Sequence, residues 1–284
     1  MIKKRSGLGH KMQQIMGYRV EELQKGLWAI DDEKNDSMYL VEGAQKALLI
    51  DTCMMDGPLA PLLRQLTLKP VELALTHAHI DHMYHAPEFE MVYLHQADID
   101  DWHAPFGRFS VWAGAPFLHV KRKHYDVKHY RPLKGGDLLD LGSVVLRVLP
   151  APGHTPGSIV LVDAAHQVLF FGDAVGSGSG ALMALPECLM ISRYRDELDK
   201  LLPKLMPYRD YTFLGGHRRQ AIPTPQFPDA GPLTFEVVED MKLLCEKMLA
   251  GTVAPQPAGH LGFSRLSQYK AGRAAMVQKK SKIK

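Results

Sequence analysis

Short apolar runs alternate with turn-forming residues from Lys25 onward, and their lengths predict a chain built mainly of strands. Gly26–Ile30 is the first. Met38–Val41 and Ala47–Ile50 flank Glu42-Gly43 and predict a hairpin, and Ser158–Val162 with Gln167–Phe171 predict a second. Val71–Leu75, Met91–His95, Val144–Leu149 and Tyr211–Leu214 read as further strands. Helical spacing runs over Pro58–Leu66, with proline at its favoured place near the start, and over Gln96–Asp101, Arg195–Leu205 and Phe235–Leu249. Strands interleaved with helices place the chain in the α/β class.

Between about 102 and 131 neither period holds. This stretch carries aromatic residues such as Trp102, Phe106, Trp112 and Tyr125 with histidines interspersed. So long an aperiodic segment is usually functional, and it reads either as a lid over a site or as two aromatic-rich packed helices. The lysine-rich end, residues 279–284, is expected to be solvated and frayed.

Composition changes the picture only by exclusion. The chain has 284 residues, 46% hydrophobic and 23% charged, which is ordinary for a globular protein. A core of that size needs no metal merely to fold, so any metal is expected to be chemical. A net charge of +3 does not by itself imply nucleic acid. Three scattered cysteines, Cys53, Cys188 and Cys245, form neither a disulfide framework nor a metal pair. The basic start Met1–Arg5 has no apolar stretch behind it, and no run approaches the ~20 residues of a membrane span. A cytoplasmic protein without nucleic-acid or membrane partners is the expectation, with a homo-oligomer left open.

The candidate chemistry begins at Thr76-His77-Ala78-His79-Ile80-Asp81-His82, directly after a predicted strand. Imidazole nitrogen and carboxylate oxygen are the ligands of a borderline ion such as Zn²⁺. In an extended segment residues i and i+2 point the same way, so His77 and His79 can grip one ion. A helix starting there would swing Asp81 and His82 toward a second. His154, Asp173 and His217 each follow the end of another predicted strand with glycine adjacent, and strands laid side by side would gather them at one rim. The loop Gly176–Gly180 is glycine-rich, yet no lysine and helix follow it as a phosphate-binding loop requires.

The Thr-His-x-His-x-Asp-His run, the Pro-Gly-His-Thr-Pro-Gly-Ser segment from Pro152, Phe171-Gly-Asp173 and Gly215-Gly-His217 resemble the motifs of the metallo-β-lactamase superfamily over roughly residues 25–220. The resemblance implies a four-layer αβ/βα sandwich of the metallo-β-lactamase type as a single domain over 1–284; the aperiodic stretch would be a lid insertion at about 102–131, and the residues from about 219, which match no motif, an extension. It implies two Zn²⁺ per chain, with iron or manganese as alternatives. His77, His79 and His154 would hold one, Asp81, His82 and His217 the other, and Asp173 would bridge them. Asp51 would orient a ligand from behind. A water shared by two such cations should lose its proton near neutral pH and act as nucleophile, with Asp81 as the catalytic carboxylate that orients it or takes a proton.

Departures from the pattern narrow the substrate. True β-lactamases place cysteine or serine where this chain has Asp173, and flavin-linked diiron members replace one motif histidine by an acid. The glyoxalase II run after the final histidine is not matched by Arg218-Arg219-Gln220, and Ala174-Val175 lacks the tyrosine frequent in lactone hydrolases. The leading expectation is a dinuclear zinc hydrolase of a small ester, thioester or lactone. Lys121-Arg122-Lys123 and the lysine-rich end would suit a phosphodiesterase or RNA-processing nuclease instead. A binding or regulatory protein that has kept the fold is the third reading, which the complete ligand set opposes. Tyr84 and His85, just past the ligands, are candidate substrate contacts, and basic residues of the lid would favour an anionic small molecule.

Overall fold

In the computed structural model, described over residues 12–102, 121, 123–178, 180–218, 230–261 and 264–283, two β-sheets lie face to face. The first sheet has eight strands in sequence order. Its antiparallel part is β1 (Gln13–Ile15), β2 (Tyr18–Gln24), β3 (Leu27–Asp31), β4 (Ser37–Glu42) and β5 (Ala47–Ile50). Parallel strands β6 (Val71–Ala74), β7 (Val92–His95) and β8 (Arg131–Leu133) complete it. The second sheet contains β9 (Leu138–Asp140), β10 (Val145–Pro150), β11 (Ile159–Asp163), β12 (Val168–Gly172) and β14 (Thr212–Gly215), ordered β14-β12-β11-β10-β9. A third sheet joins β13 (Ala181–Leu182) to β17 (Ala274–Gln278), β16 (Ser264–Ala271) and β15 (Gln256–Leu261).

Strand alternation divides the apolar residues between two faces. Leu48 and Ile50, Ile159 and Leu161, and Val168 and Phe170 point between the first two sheets. Their neighbours point outward. Leu49, with Leu73 and Leu75, meets helices α1 (Ala60–Leu66), α2 (Ile80–Met83) and α3 (Gln96–Trp102) through Leu62, Met83 and Ile99. Val160, Val162, Leu169 and Phe171 meet α4 (Ile191–Leu205) and α5 (Phe235–Ala250) through Leu198, Leu201, Val237 and Met241. The result is a four-layer αβ/βα sandwich. Strands buried on both faces read as unbroken apolar runs, the form the central strands take in the sequence. Each fully buried Leu, Ile or Phe contributes about 1.5–3 kcal/mol.

The end of the chain departs from the expected frayed tail. Gln278 is fully buried, and Ile283 packs against the cluster beneath α4 and α5, although Lys280 and Ser281 are exposed. Among the described residues no helix is long and apolar enough to cross a membrane.

Candidate metal centre

The rim where β5, β6, β10, β12 and β14 end gathers the candidate ligands. After β6 the backbone of Thr76 is fixed by Asp51, whose Oδ1 accepts the amide and Oδ2 the hydroxyl, both at 2.8 Å. The amide of Ala78 donates to Asp98 Oδ2 at 2.9 Å, which fixes a bend over residues 76–78 where an extended segment was expected; His79 itself is extended. α2 then begins, with the His82 and Met83 amides both donating to the His79 carbonyl at 3.0 Å. That turn separates Asp81 and His82 from the two preceding histidines.

Two groups result. His77, His79 and His154 form one; Asp81, His82, Asp173 and His217 form the other, with the candidate ligand atoms of each group within 4.8 Å of one another. Asp173 lies between them: its Oδ2 is 3.1 Å from His217 Nε2 and 3.7 Å from His154 Nε2, and its Oδ1 is 3.8 Å from His82 Nε2. The rings of His77 and His82 also adjoin, with centroids 4.1 Å apart. The second group is packed so closely that Gly216 admits no side chain. A Cβ there would stand 2.5 Å from His82 Cε1 and 2.6 Å from Asp173 Oδ1.

Four imidazoles are tied from behind through Nδ1. His77 contacts Thr76 Oγ1 at 3.1 Å, His82 Asp51 Oδ2 at 2.8 Å, His154 the Leu182 carbonyl at 2.7 Å and His217 Asp36 Oδ1 at 2.8 Å. Each therefore turns Nε2 inward. His79 is tied the other way, its Nε2 2.8 Å from Glu187 Oε1. Asp98 binds both ligand loops at once, accepting from Ala78, from Thr155 Oγ1 at 2.9 Å and from the Gly157 amide at 2.6 Å. Burial pushes its carboxyl up to about 6 despite these bonds.

The electrostatics of the two groups differ. Burial, and then the neighbouring rings, hold the His77 imidazole well below its ordinary range. Burial and His79 push His154 down to about 4. Burial presses on His82 as well, but the carboxylates of Asp81, Asp51 and Asp173 outweigh it and raise His82 to about 9. Burial disfavours the charge on Asp173, yet His217, His82 and His154 hold it well below the usual carboxylate range. Asp81 is lowered for the same reason, chiefly by His82 and His217 against the effect of burial.

Whether cations suit this centre is a question of unpaired atoms. His77 Nε2, His82 Nε2, His154 Nε2 and Asp173 Oδ1 are all buried and all lack a hydrogen-bond partner. An orphaned buried polar atom costs about 1–3 kcal/mol, so four in one place need a common partner. Neutral imidazole nitrogens and carboxylate oxygens converging this way suit a borderline divalent cation in each group.

The sequence pattern of the metallo-beta-lactamase superfamily matches residues 32–217 of the chain. The chain belongs to this superfamily. The superfamily binds divalent metals, and the two groups described above could hold two ions. A chicken relative, acyl-coenzyme A thioesterase MBLAC2, is 32% identical over 167 residues, covering 50% of this chain and 58% of that protein. The chain thus spans less than two thirds of that relative. An uncharacterized protein of Mycobacterium leprae is 28% identical over 72% of this chain and 95% of its own length. Among solved structures, the metallo-beta-lactamase family protein TTHA1429 of Thermus thermophilus superposes with a TM-score of 0.55 at 23% identity, covering 83% of this chain and 85% of that one. That last likeness speaks for the fold alone.

The remaining expected residues fall elsewhere. Tyr84 is buried with its hydroxyl on Asp56 Oδ1 at 2.8 Å. His85 is 0% exposed, with Nδ1 2.6 Å from Glu88 Oε1 and Nε2 2.9 Å from the Met55 carbonyl. Both ring nitrogens are engaged within the protein. Of the aperiodic region, 103–120 and 122 lie outside the described residues. Trp102 lines a small cavity beside the first group with His79, Asp98, Asp101, Thr155 and Glu187, while Tyr125 and Tyr130 pack under the first sheet. The described lining of this cavity is acidic rather than basic. Lys123 is tied to Glu88 at 3.1 Å and lies over the Tyr84 ring. Asp36, Asp98, Glu187 and the Leu182 carbonyl were not foreseen.

Proposed function

We propose that the chain is a metal-dependent hydrolase of acyl thioesters with two cations in adjoining sites. His77, His79 and His154 would hold one, Asp81, His82 and His217 the other, with Asp173 between them. The observation that carries this reading is the convergence of unpaired Nε2 and carboxylate atoms on two adjoining points. When bound, such cations supply Lewis acidity, acidifying water and polarising the carbonyl of the substrate. The residues themselves orient and move protons. Asp81 is the most exposed member of its group, with 24% of its side chain open, so it can meet solvent and substrate while its Oδ2 stays 3.5 Å from His217 Nε2. It would accept a proton from the attacking water and return it to the leaving thiolate. Asp51 and Asp36 would keep His82 and His217 in the tautomer that carries its proton on Nδ1.

The name of the chicken relative supports a thioester over a simple ester or lactone. Purified protein, loaded with zinc, should release free thiol from acyl-coenzyme A and from short S-acyl thioesters, and act on phosphodiesters far more slowly. Turnover of chromogenic phosphodiesters with none of thioesters would contradict the assignment. Two bound cations without turnover of esters, lactones, thioesters or phosphodiesters would point to a binding protein.

A further inference from the structure

Glu187 is an acid of the centre that belongs to none of the ligand motifs. It stands on the segment between β13 and α4, its side chain 10% exposed, with Oε1 2.8 Å from His79 Nε2. An ionised carboxylate only accepts, so Nε2 of His79 carries a proton and Nδ1 is the nitrogen left for a cation. The partners of the other four rings act on the opposite nitrogen: Thr76, Asp51, Leu182 and Asp36 all engage Nδ1. His79 is the exception among the five.

The segment carrying Glu187 is itself anchored. The Leu189 amide donates to the Gly153 carbonyl at 2.8 Å, beside His154. The Cys188 amide donates to the Leu185 carbonyl at 3.2 Å. β13 pairs in parallel with β17, and the Met183 amide donates to the Val277 carbonyl at 2.8 Å. Leu182, whose carbonyl holds His154 Nδ1, lies on the same segment. One stretch of chain, backed by a strand beyond the residues of the family match, therefore sets the presented nitrogen of two rings in the first group.

We propose that Glu187 is a positioning residue that makes His79 present Nδ1, and so tunes cation affinity in the three-histidine group without affecting the other. The inference rests on the assignment of two cation sites made above. Losing such an outer partner costs ~10–100-fold in metal affinity. Glutamine keeps a carbonyl oxygen that can accept from Nε2, whereas leucine keeps the bulk and removes the acceptor.

The test titrates metal-free full-length protein with Co²⁺, following absorbance and competition with a chelator, for wild type, Glu187→Gln and Glu187→Leu. Glu187→Leu is expected to weaken one of two binding steps by ~10–100-fold and leave the other unchanged, with Glu187→Gln close to wild type. Two unchanged steps in Glu187→Leu, or both weakened alike, would overturn the inference while leaving the two-site assignment standing. A wild type that binds fewer than two ions would overturn both. Imidazole ¹⁵N spectra of wild type supply a measurement independent of any variant: His79 should be protonated at Nε2, and protonation at Nδ1 instead would refute the role of Glu187.

Discussion

The two halves of the centre lie side by side and are made differently. In the three-histidine half burial and the neighbouring rings lower the basicity of His77 and His154, whereas the Glu187 carboxylate outweighs burial and raises that of His79. The rings of this half are supported by a hydroxyl, a backbone carbonyl and the carboxylate of Glu187. The other half has two carboxylates of its own and two more behind it, Asp51 and Asp36, and there a histidine is pushed toward the charged form. His77 and His154 present free lone pairs at neutral pH, whereas His82 holds a proton where a cation would go. A cation entering the second half must displace that proton, so its affinity should keep rising with pH up to about 9.

The largest effect should come from Asp173, whose carboxylate lies against histidines of both halves. Asp173→Ala should lower thioester turnover by more than the ~100-fold typical of outer partners and weaken both cations, while melting of the metal-free protein changes little. Near-native turnover with two ions bound would break the comparison at its hinge. Gly216→Ala comes next. Its methyl group would collide with His82 and Asp173, so elemental analysis should show about one ion retained, in the three-histidine half. Asp51→Asn and Asp36→Asn should each weaken only the second ion, by ~10–100-fold, as competition with a chelator would reveal.

The smallest effect is the pH dependence of the metal-free protein, where His154 and His82 should pull in opposite directions. His154 is depressed from 6.5 to about 4, so the unfolded chain takes up a proton that the folded chain refuses, and stability is lost as pH falls from 6.5 through 4. His82 is raised from 6.5 to about 9, so its contribution is complete below 6.5 and is lost as pH rises through 9. Melting temperatures across that range should trace a dome. His154→Gln should flatten the acid limb and leave the alkaline one, and an unchanged acid limb would refute the assignment.

The ligands were legible in the sequence because imidazole and carboxylate groups at strand ends are chemically conspicuous, and the central strands because burial on both faces leaves unbroken apolar runs. The supports were not. Asp36, Asp98 and Glu187 are single acids without telling spacing, and the acceptor for His154 is a backbone carbonyl that no side chain encodes. Tyr84 and His85 follow the ligands in sequence, but they are turned toward Asp56 and Glu88. The third sheet was hidden for another reason. β15 contains Pro257 and Gly259, and β17 is rich in small residues; in the first sheet β2 was missed because it carries two buried apolar positions among charged ones.

Two adjoining cation sites, unequal in make-up, would be the defining feature of this centre. Crystals of zinc-loaded protein, measured at the zinc absorption edge, test for them directly. Two anomalous peaks are expected, one flanked by His77, His79 and His154, the other by Asp81, His82 and His217, with Asp173 between them. A single peak, or peaks away from these residues, would contradict the two-site assignment.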